Sequence, residues 1–319
     1  MAGLATPMAL RVAVTLGLPD RLRDGATLEH LANDLNASPI ALEVLLSHLV
    51  TLGIAEPTDA GYRTTKLGAA LHTDADNGLT NFLHLDMAGG RAELAFVELL
   101  HTVTTGEPGY DRRYGKDFWT DLGEQPHLRA TFDQQMTDRF RDQVAGIVAN
   151  FDWSRFPTIV DVGGGHGNLS AEILAAHPTI SVDLVDLDPT ATGALATFRA
   201  HGVADRARVT PQSFFDPLPA GADAYLLSDI LHDWNDEQAH RILARCREAM
   251  PPHGRILVVE AVRGRRSTTG FDLAMLVFFA GRERTVEDFR EFGAAHDLVL
   301  EGVTELTHQR CVVEFRPAG

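Results

Sequence analysis

An apolar segment from Ile159 to Val162 runs directly into Gly163-Gly164-Gly165-His166-Gly167-Asn168, and a helix-like stretch from Leu169 to Ala176 follows. Glycines at a strand-to-helix turn let the backbone approach a ligand that side chains would hold away, and strand ends are where α/β sheets bind cofactors. A nucleoside-bearing cofactor is the natural candidate. Two chemistries compete for such a loop. In the dinucleotide pattern G-x-G-x-x-G, the helix N-terminus holds a pyrophosphate. Gly163 and Gly165 fit that pattern, but its third place is Asn168, and Asp161 adds a carboxylate that an anion would oppose. A cofactor carrying a cation suits the carboxylate better.

The next apolar segment, Val182 to Leu187, ends with Asp186, about twenty residues past the last glycine, where a carboxylate accepts both hydroxyls of a ribose. Asp183 and Asp188 are its neighbours and rivals, and a ribose contact alone does not separate one nucleoside cofactor from another. Further on, Tyr225 to Leu231 leads into His232-Asp233-Trp234-Asn235-Asp236-Glu237-Gln238. His232 thus falls at the carboxyl end of a strand, facing the cleft, while Asn235 and Gln238 make an N-cap and capping box for the helix that carries Ile242, Leu243 and Cys246. The crowd of His232, Asp233, Asp236, Glu237 and His240 has the look of a metal site. Asp236 and Glu237, however, sit in a first helical turn where acids complement the dipole, and His240 lies a turn or more away, so no metal is expected.

The elements that must position these residues follow from periodicity. Leu42, Leu45, Leu46, Leu49 and Val50 form a helical stripe after Pro39, and Ile54 to Glu56 and Tyr62 to Thr64 flank a turn-rich Pro57 to Gly61. Helices followed by a hairpin outline a winged helix. Residues Pro39 to Leu52 contain no Lys or Arg, so the would-be recognition helix has nothing to offer phosphate or guanine, and a packing or dimerisation module is expected instead. Helix-like stretches continue from Leu79 to Phe151. From Thr158, short apolar strands alternate with amphipathic helices, at Ile159 to Val162, Val182 to Leu187, Arg208 to Phe214, Ala222 to Leu231 and Arg255 to Val262. That alternation predicts an α/β fold with a mostly parallel, doubly wound sheet. Leu298 to Leu306 and Arg310 to Phe315 are joined only by Thr307-His308-Gln309, which requires an antiparallel hairpin.

Asp161 to Gly167, Phe214-Phe215-Asp216-Pro217-Leu218-Pro219, Leu231-His232-Asp233-Trp234, Val259-Glu260-Ala261 and Arg282-Glu283-Arg284-Thr285 occur in an order that resembles small-molecule O-methyltransferases of the plant caffeate and bacterial polyketide-tailoring type. The resemblance covers nearly the whole chain. It implies a winged-helix-like dimerisation domain over 1–78, a helical connector contributing to the substrate pocket over 79–151, and a Rossmann-like catalytic domain over 152–319. It also implies S-adenosylmethionine as cofactor, a hydroxyl of an aromatic secondary metabolite as acceptor, and a homodimer. The implied cofactor site comprises Asp161, Gly163, Gly165, Gly167, Asp186, Leu187, Ser213, Phe214 and Ser228. His232 is the implied general base, flanked by Glu260 and Glu283, with Phe132, Met136, Asp233, Met275 and Phe279 on the acceptor side. The chemistry agrees with that assignment. A neutral imidazole, with an ordinary pKa near ~6.5, is available to a phenol near ~10 whose proton loosens as the oxygen attacks. A carboxylate on the other ring nitrogen fixes the tautomer.

Two departures from the family pattern stand out. Ser213 occupies the place of an Asp that accepts from the adenine amine, and Ser228 or Asp229 that of a Lys or Arg near the cofactor. A neutral hydrogen bond in place of a charge-assisted one, worth about 1.5–3 kcal/mol, predicts weaker cofactor binding. Relatives on this scaffold also hydroxylate, decarboxylate or methylate C and N, and these are the alternative activities. A winged-helix regulatory protein binding DNA or a ligand is the remote one.

Composition bounds the partners. In 319 residues, 28 Lys and Arg stand against 44 Asp and Glu, a net charge of −16, which works against nucleic acid and acidic lipid surfaces. With 45% hydrophobic and 23% charged residues the chain is an ordinary globular one. Cys246 and Cys311 belong to no metal-binding or disulfide pattern, and neither an export signal nor a membrane span is visible, so a cytoplasmic location is expected.

Overall fold

The computed structural model describes residues 3–75, 77–265 and 268–319, grouped into two units. The first comprises residues up to 94 together with 119–139, and the second 95–118 together with 140–319. The stretch from 79 to 151 is therefore shared between the units. Within the second, Tyr110 packs edge-on against Phe118, and Phe118 against Phe279, with centroids 5.3 and 4.9 Å apart. Within the first, Arg91 pairs with the buried Asp121 at 2.8 Å.

In the first unit, the helix Pro39–Thr51 begins at Ser38, whose hydroxyl accepts from the Ala41 amide, with Pro39 in the first turn where its missing N–H costs nothing. Leu42, Leu46 and Leu49 are its buried stripe. They pack with Ala13, Leu18, Leu22 and Leu31 from the preceding helices. The hairpin that follows, β1 (Ala55–Thr58) and β2 (Gly61–Thr64), is antiparallel with Thr58 opposite Gly61, so its turn is shorter than the sequence suggests. Helices and a two-stranded wing together give the winged-helix outline.

The second unit is built on seven strands: β3 (Thr158–Val162), β4 (Ser181–Asp186), β5 (Ala207–Pro211), β6 (Ala224–Ser228), β7 (Arg255–Glu260), β8 (Leu298–Glu305) and β9 (Cys311–Pro317). Their order is β5-β4-β3-β6-β7-β9-β8, with β3 to β7 parallel and β9 antiparallel to both neighbours. Side chains alternate across the sheet as a two-residue period demands. Val160, Leu227 and Val258 enter one core with Ile242, Leu243 and Phe289; Ile159, Leu226 and Leu257 enter the other with Leu174, Phe198 and Trp153. Strand order reverses between β3 and β6, which opens a crevice at their carboxyl ends.

β5 and β6 are shorter than the apolar runs predict. Past Pro211, the Ser213 hydroxyl accepts the Phe215 amide at 3.2 Å and turns the chain. Beyond Ser228, Asp229 takes a left-handed backbone with φ 50°, which ends the strand.

Candidate active site

The glycine loop lies between β3 and the helix Asn168–Ala176, and its backbone needs glycine. Gly163, Gly165 and Gly167 have φ of 75°, 58° and 73°. A Cβ on Gly163 would stand 2.4 Å from Ile230 Cδ1, whereas one on Gly165 would meet nothing within 4 Å. The loop is thus packed from beneath by the segment leading to His232 and open above Gly165. Asp161 lies in the buried layer under the loop, where its Oδ2 accepts the Ser170 hydroxyl at 2.5 Å. Burial pushes its pKa up to about 6, with Asp186 adding to the shift and Ser170 opposing it.

Asp186, ending β4, closes the loop: its carboxylate accepts the Gly165 amide at 2.8 Å and the Leu187 amide at 2.7 Å. Beside it Leu187 is 49% exposed, an apolar surface at a strand end. Ser213 and Phe214 follow β5, with Phe214 stacked edge-on toward Trp234 at 5.9 Å. At the end of β6, the Ser228 hydroxyl is buried without a hydrogen-bond partner among the described residues, while Asp229 is taken up by a buried bidentate pair with Arg310 at 2.5 and 3.1 Å. An open glycine cradle, a carboxylate at ribose distance in sequence, an apolar shelf and an orphaned hydroxyl fit a nucleoside cofactor with an amino-acid tail.

His232 sits in a single 3-10 turn, Leu231–Asp233, just beyond β6, and is buried. Its Nε2 lies 3.4 Å from Asp233 Oδ1, and the Phe271 ring stands edge-on to the imidazole at 5.6 Å. Glu260 ends the neighbouring strand β7 and is fully buried. Neither carboxyl oxygen makes a well-formed hydrogen bond among the described residues. Burial drives its pKa up to about 8; Asp229 and Glu283 add to that, while the Arg284 charge and the His232 backbone N–H oppose it. Glu283 is buried as well, its amide donating to Asp272 Oδ1 at 3.0 Å. Asp272 in turn pairs with Arg263 at 2.9 Å. The His232 turn and the carboxyls of Glu260 and Glu283 are thus buried near one another at the sheet's carboxyl edge, an arrangement suited to taking a proton from an oxygen nucleophile.

Met275, Phe278 and Phe279 lie on the helix Thr269–Phe279 of the same unit. Phe278 is edge-on to Phe96 at 5.5 Å. Phe132 and Met136 belong to the first unit, one helical turn apart on Pro126–Ala149, with Phe132 edge-on to Trp119 at 5.6 Å.

Residues 96–296 match the O-methyltransferase domain family, and residues 1–74 match the O-methyltransferase dimerisation domain. The chain belongs to the O-methyltransferase family. The 2,7-dihydroxy-5-methyl-1-naphthoate 7-O-methyltransferase of Streptomyces carzinostaticus is 42% identical over 96% of this chain and 96% of its own length. The crystal structure of NcsB1, an O-methyltransferase from neocarzinostatin biosynthesis, in complex with S-adenosylmethionine and 2-hydroxy-5-methyl naphthoic acid, superposes with a TM-score of 0.93 at 41% identity, covering 99% of this chain and 97% of that one. The aclacinomycin 10-hydroxylase RdmB of Streptomyces purpurascens is 38% identical over 99% of this chain and 88% of its length.

In this O-methyltransferase the structure brings the sequence-expected His232, Glu260 and Glu283 to one edge of the sheet, together with groups that the sequence did not single out. Arg284, Asp272 and Phe271 touch or hold the His232 and Glu283 segments, and of the three only Arg284 stands in a sequence motif, Arg282 to Thr285. The expectation that Asp186 holds the ribose can be tested directly. Asp186→Ala should weaken S-adenosylmethionine and S-adenosylhomocysteine alike, by about tenfold or more, because hydrogen bonds to a carboxylate are worth ~1.5–3 kcal/mol. Calorimetry giving unchanged affinity for both would move the ribose contact elsewhere.

Proposed function

We propose that this O-methyltransferase methylates a phenolic hydroxyl of a fused-ring aromatic acid of the hydroxynaphthoate class, with His232 as general base. The buried His232, Glu260 and Glu283 near the carboxyl ends of β6 and β7, with Phe271 against the imidazole, support the base, and the 42% identical naphthoate 7-O-methyltransferase supports the acceptor class. When bound, S-adenosylmethionine supplies a methyl group already activated by its sulfonium. The protein's part is to present the acceptor oxygen in line, exclude water and receive the proton. His232 takes that proton, and Glu260 and Glu283 stabilise the resulting imidazolium in a pocket where water does not compete. Asp161 supports the glycine loop from below; Gly163, Gly165 and Gly167 admit the methionine portion; Asp186 takes the ribose. Leu187, Ser213, Phe214 and Ser228 surround the adenine. Within the second unit, Met275 and Phe279 offer the acceptor soft, flat surfaces that match an aromatic ring, with Asp233 as a polar neighbour.

Mass spectrometry after incubation with hydroxynaphthoates, catechols, simple phenols and anthracycline aglycones tests the proposal. A gain of one methylene on a hydroxynaphthoate is expected. A gain of one oxygen, or methyl transfer confined to carbon or nitrogen, would replace it with one of the alternative activities.

The matched dimerisation domain and the exposed apolar side chains of the first unit support a homodimer. Leu4 is 70% exposed, and Ile40 and Val44, one turn apart on Pro39–Thr51, are 76% and 67% exposed. Apolar faces of this kind are buried best against a two-fold mate. Light scattering at micromolar concentration should read twice the 34.7 kDa of one chain. Leu4→Asp combined with Val44→Asp should shift the protein toward monomer. A wild-type monomer would sink the assignment.

A further inference from the structure

The turn that carries His232 is held from outside by a side chain with no part in the proton step. Arg284 is 0% exposed. Its Nη1 donates to the Leu231 carbonyl at 2.6 Å and its Nη2 to the Trp234 carbonyl at 3.0 Å, so one guanidinium grips the backbone on both sides of His232 and Asp233. The same Nη2 donates to Asp236 Oδ1 at 2.9 Å, where the next helix starts, and the guanidinium lies over the Phe292 ring, 4.6 Å from its centroid. The backbone of Arg284 is fixed as well. It forms a parallel bridge with Val262, and its carbonyl accepts the Arg263 amide at 2.9 Å. Arg284 therefore hangs from the extension of β7 just beyond Glu260. Gly281 completes the cradle, since a Cβ there would stand 2.0 Å from the His232 carbonyl oxygen. Desolvating a guanidinium is costly, and its Nε has no acceptor among the described residues, so stability alone is a weak reason for this arrangement.

We propose that Arg284 is a positioning residue of the methyl-transfer site, a fork that fixes the His232 turn between two carbonyls and sets a permanent positive charge near the Glu260 carboxyl. The proposal rests on the assignment of His232 and Glu260 to the proton step. The charged and polar groups acting on Glu260 are Arg284, Asp229 with its partner Arg310, Glu283 and the His232 amide. Asp236 faces Arg284 and is shared with Arg282, which also reaches Asp288 at 3.2 Å.

Three variants separate position from charge. Arg284→Lys keeps the cation and loses the fork: kcat should fall about tenfold or more through misalignment, while the acid limb of the kcat–pH profile stays in place. Arg284→Met loses both, so the limb should also move up by about one pH unit, because a cation disfavours protonation of carboxyl and imidazole alike. In Asp236→Asn the counter-charge goes and the cation acts more strongly, so the limb should move down. That half-exposed position keeps the test available even if Arg284→Met fails to fold. S-adenosylhomocysteine affinity, read by calorimetry, should be unchanged in all folded variants. An unmoved limb in Asp236→Asn and in every folded Arg284 variant, with kcat falling only as the folded fraction falls, overturns the proposal. If His232→Ala abolishes turnover while the Arg284 variants match wild type, positioning alone is refuted. Retained turnover in His232→Ala refutes both assignments.

Discussion

Replacing His232 by alanine should reduce methyl transfer by about 10²- to 10⁴-fold, the usual contribution of a positioned general base. The loss should fall on kcat. The glycine loop is closed by the Asp186 carboxylate on the Gly165 amide and supported by the Asp161–Ser170 contact, neither of which involves the imidazole. S-adenosylmethionine affinity should therefore stay within a few-fold of wild type. The imidazole is buried, so its removal leaves a cavity, and thermal melts must accompany the kinetics to show that the variant is folded. Turnover within a few-fold of wild type on a phenolic acceptor would end the base assignment.

Glu260→Gln should lower activity and raise stability, and the gain should depend on pH. The ordinary carboxyl value of 4.5 becomes about 8 in the folded protein, chiefly because the side chain is wholly buried. Between those values the folded state holds a proton that the unfolded chain has released, so stability is fully present below pH 4.5 and is lost as pH rises through about 8. At about 1.4 kcal/mol per unit, the loss over that window is on the order of 5 kcal/mol. Glutamine carries no titrating proton. The variant should thus melt close to wild type at mildly acidic pH and well above it on the alkaline side of the window. Catalysis makes the opposite demand, since only the ionised carboxyl stabilises an imidazolium. Equal differences in melting temperature on both sides of the window would show that Glu260 does not carry this proton.

The chemistry legible in the sequence alone was the chemistry that depends on local order. Gly163, Gly165 and Gly167 need a left-handed backbone at a strand end, and the apolar run before them says where that end is. Asp186 and His232 are singled out as candidates because each stands where an apolar run stops, and in a parallel sheet all such stops lie on one edge. Only the tertiary structure decided what surrounds the base. In sequence Asp229 is only a candidate for the place of a Lys or Arg near the cofactor, yet it is buried against Arg310, 81 positions away. In sequence Arg284 is only one member of the Arg282 to Thr285 motif, yet it reaches back 53 positions to the Leu231 carbonyl. Such pairings leave no periodic trace, because an arginine fork can satisfy any carbonyl or carboxylate that the fold brings within reach. The rise of the Glu260 pKa has the same origin: it comes from burial and neighbouring charges, which exist only once β6, β7 and the segment through Glu283 are packed together.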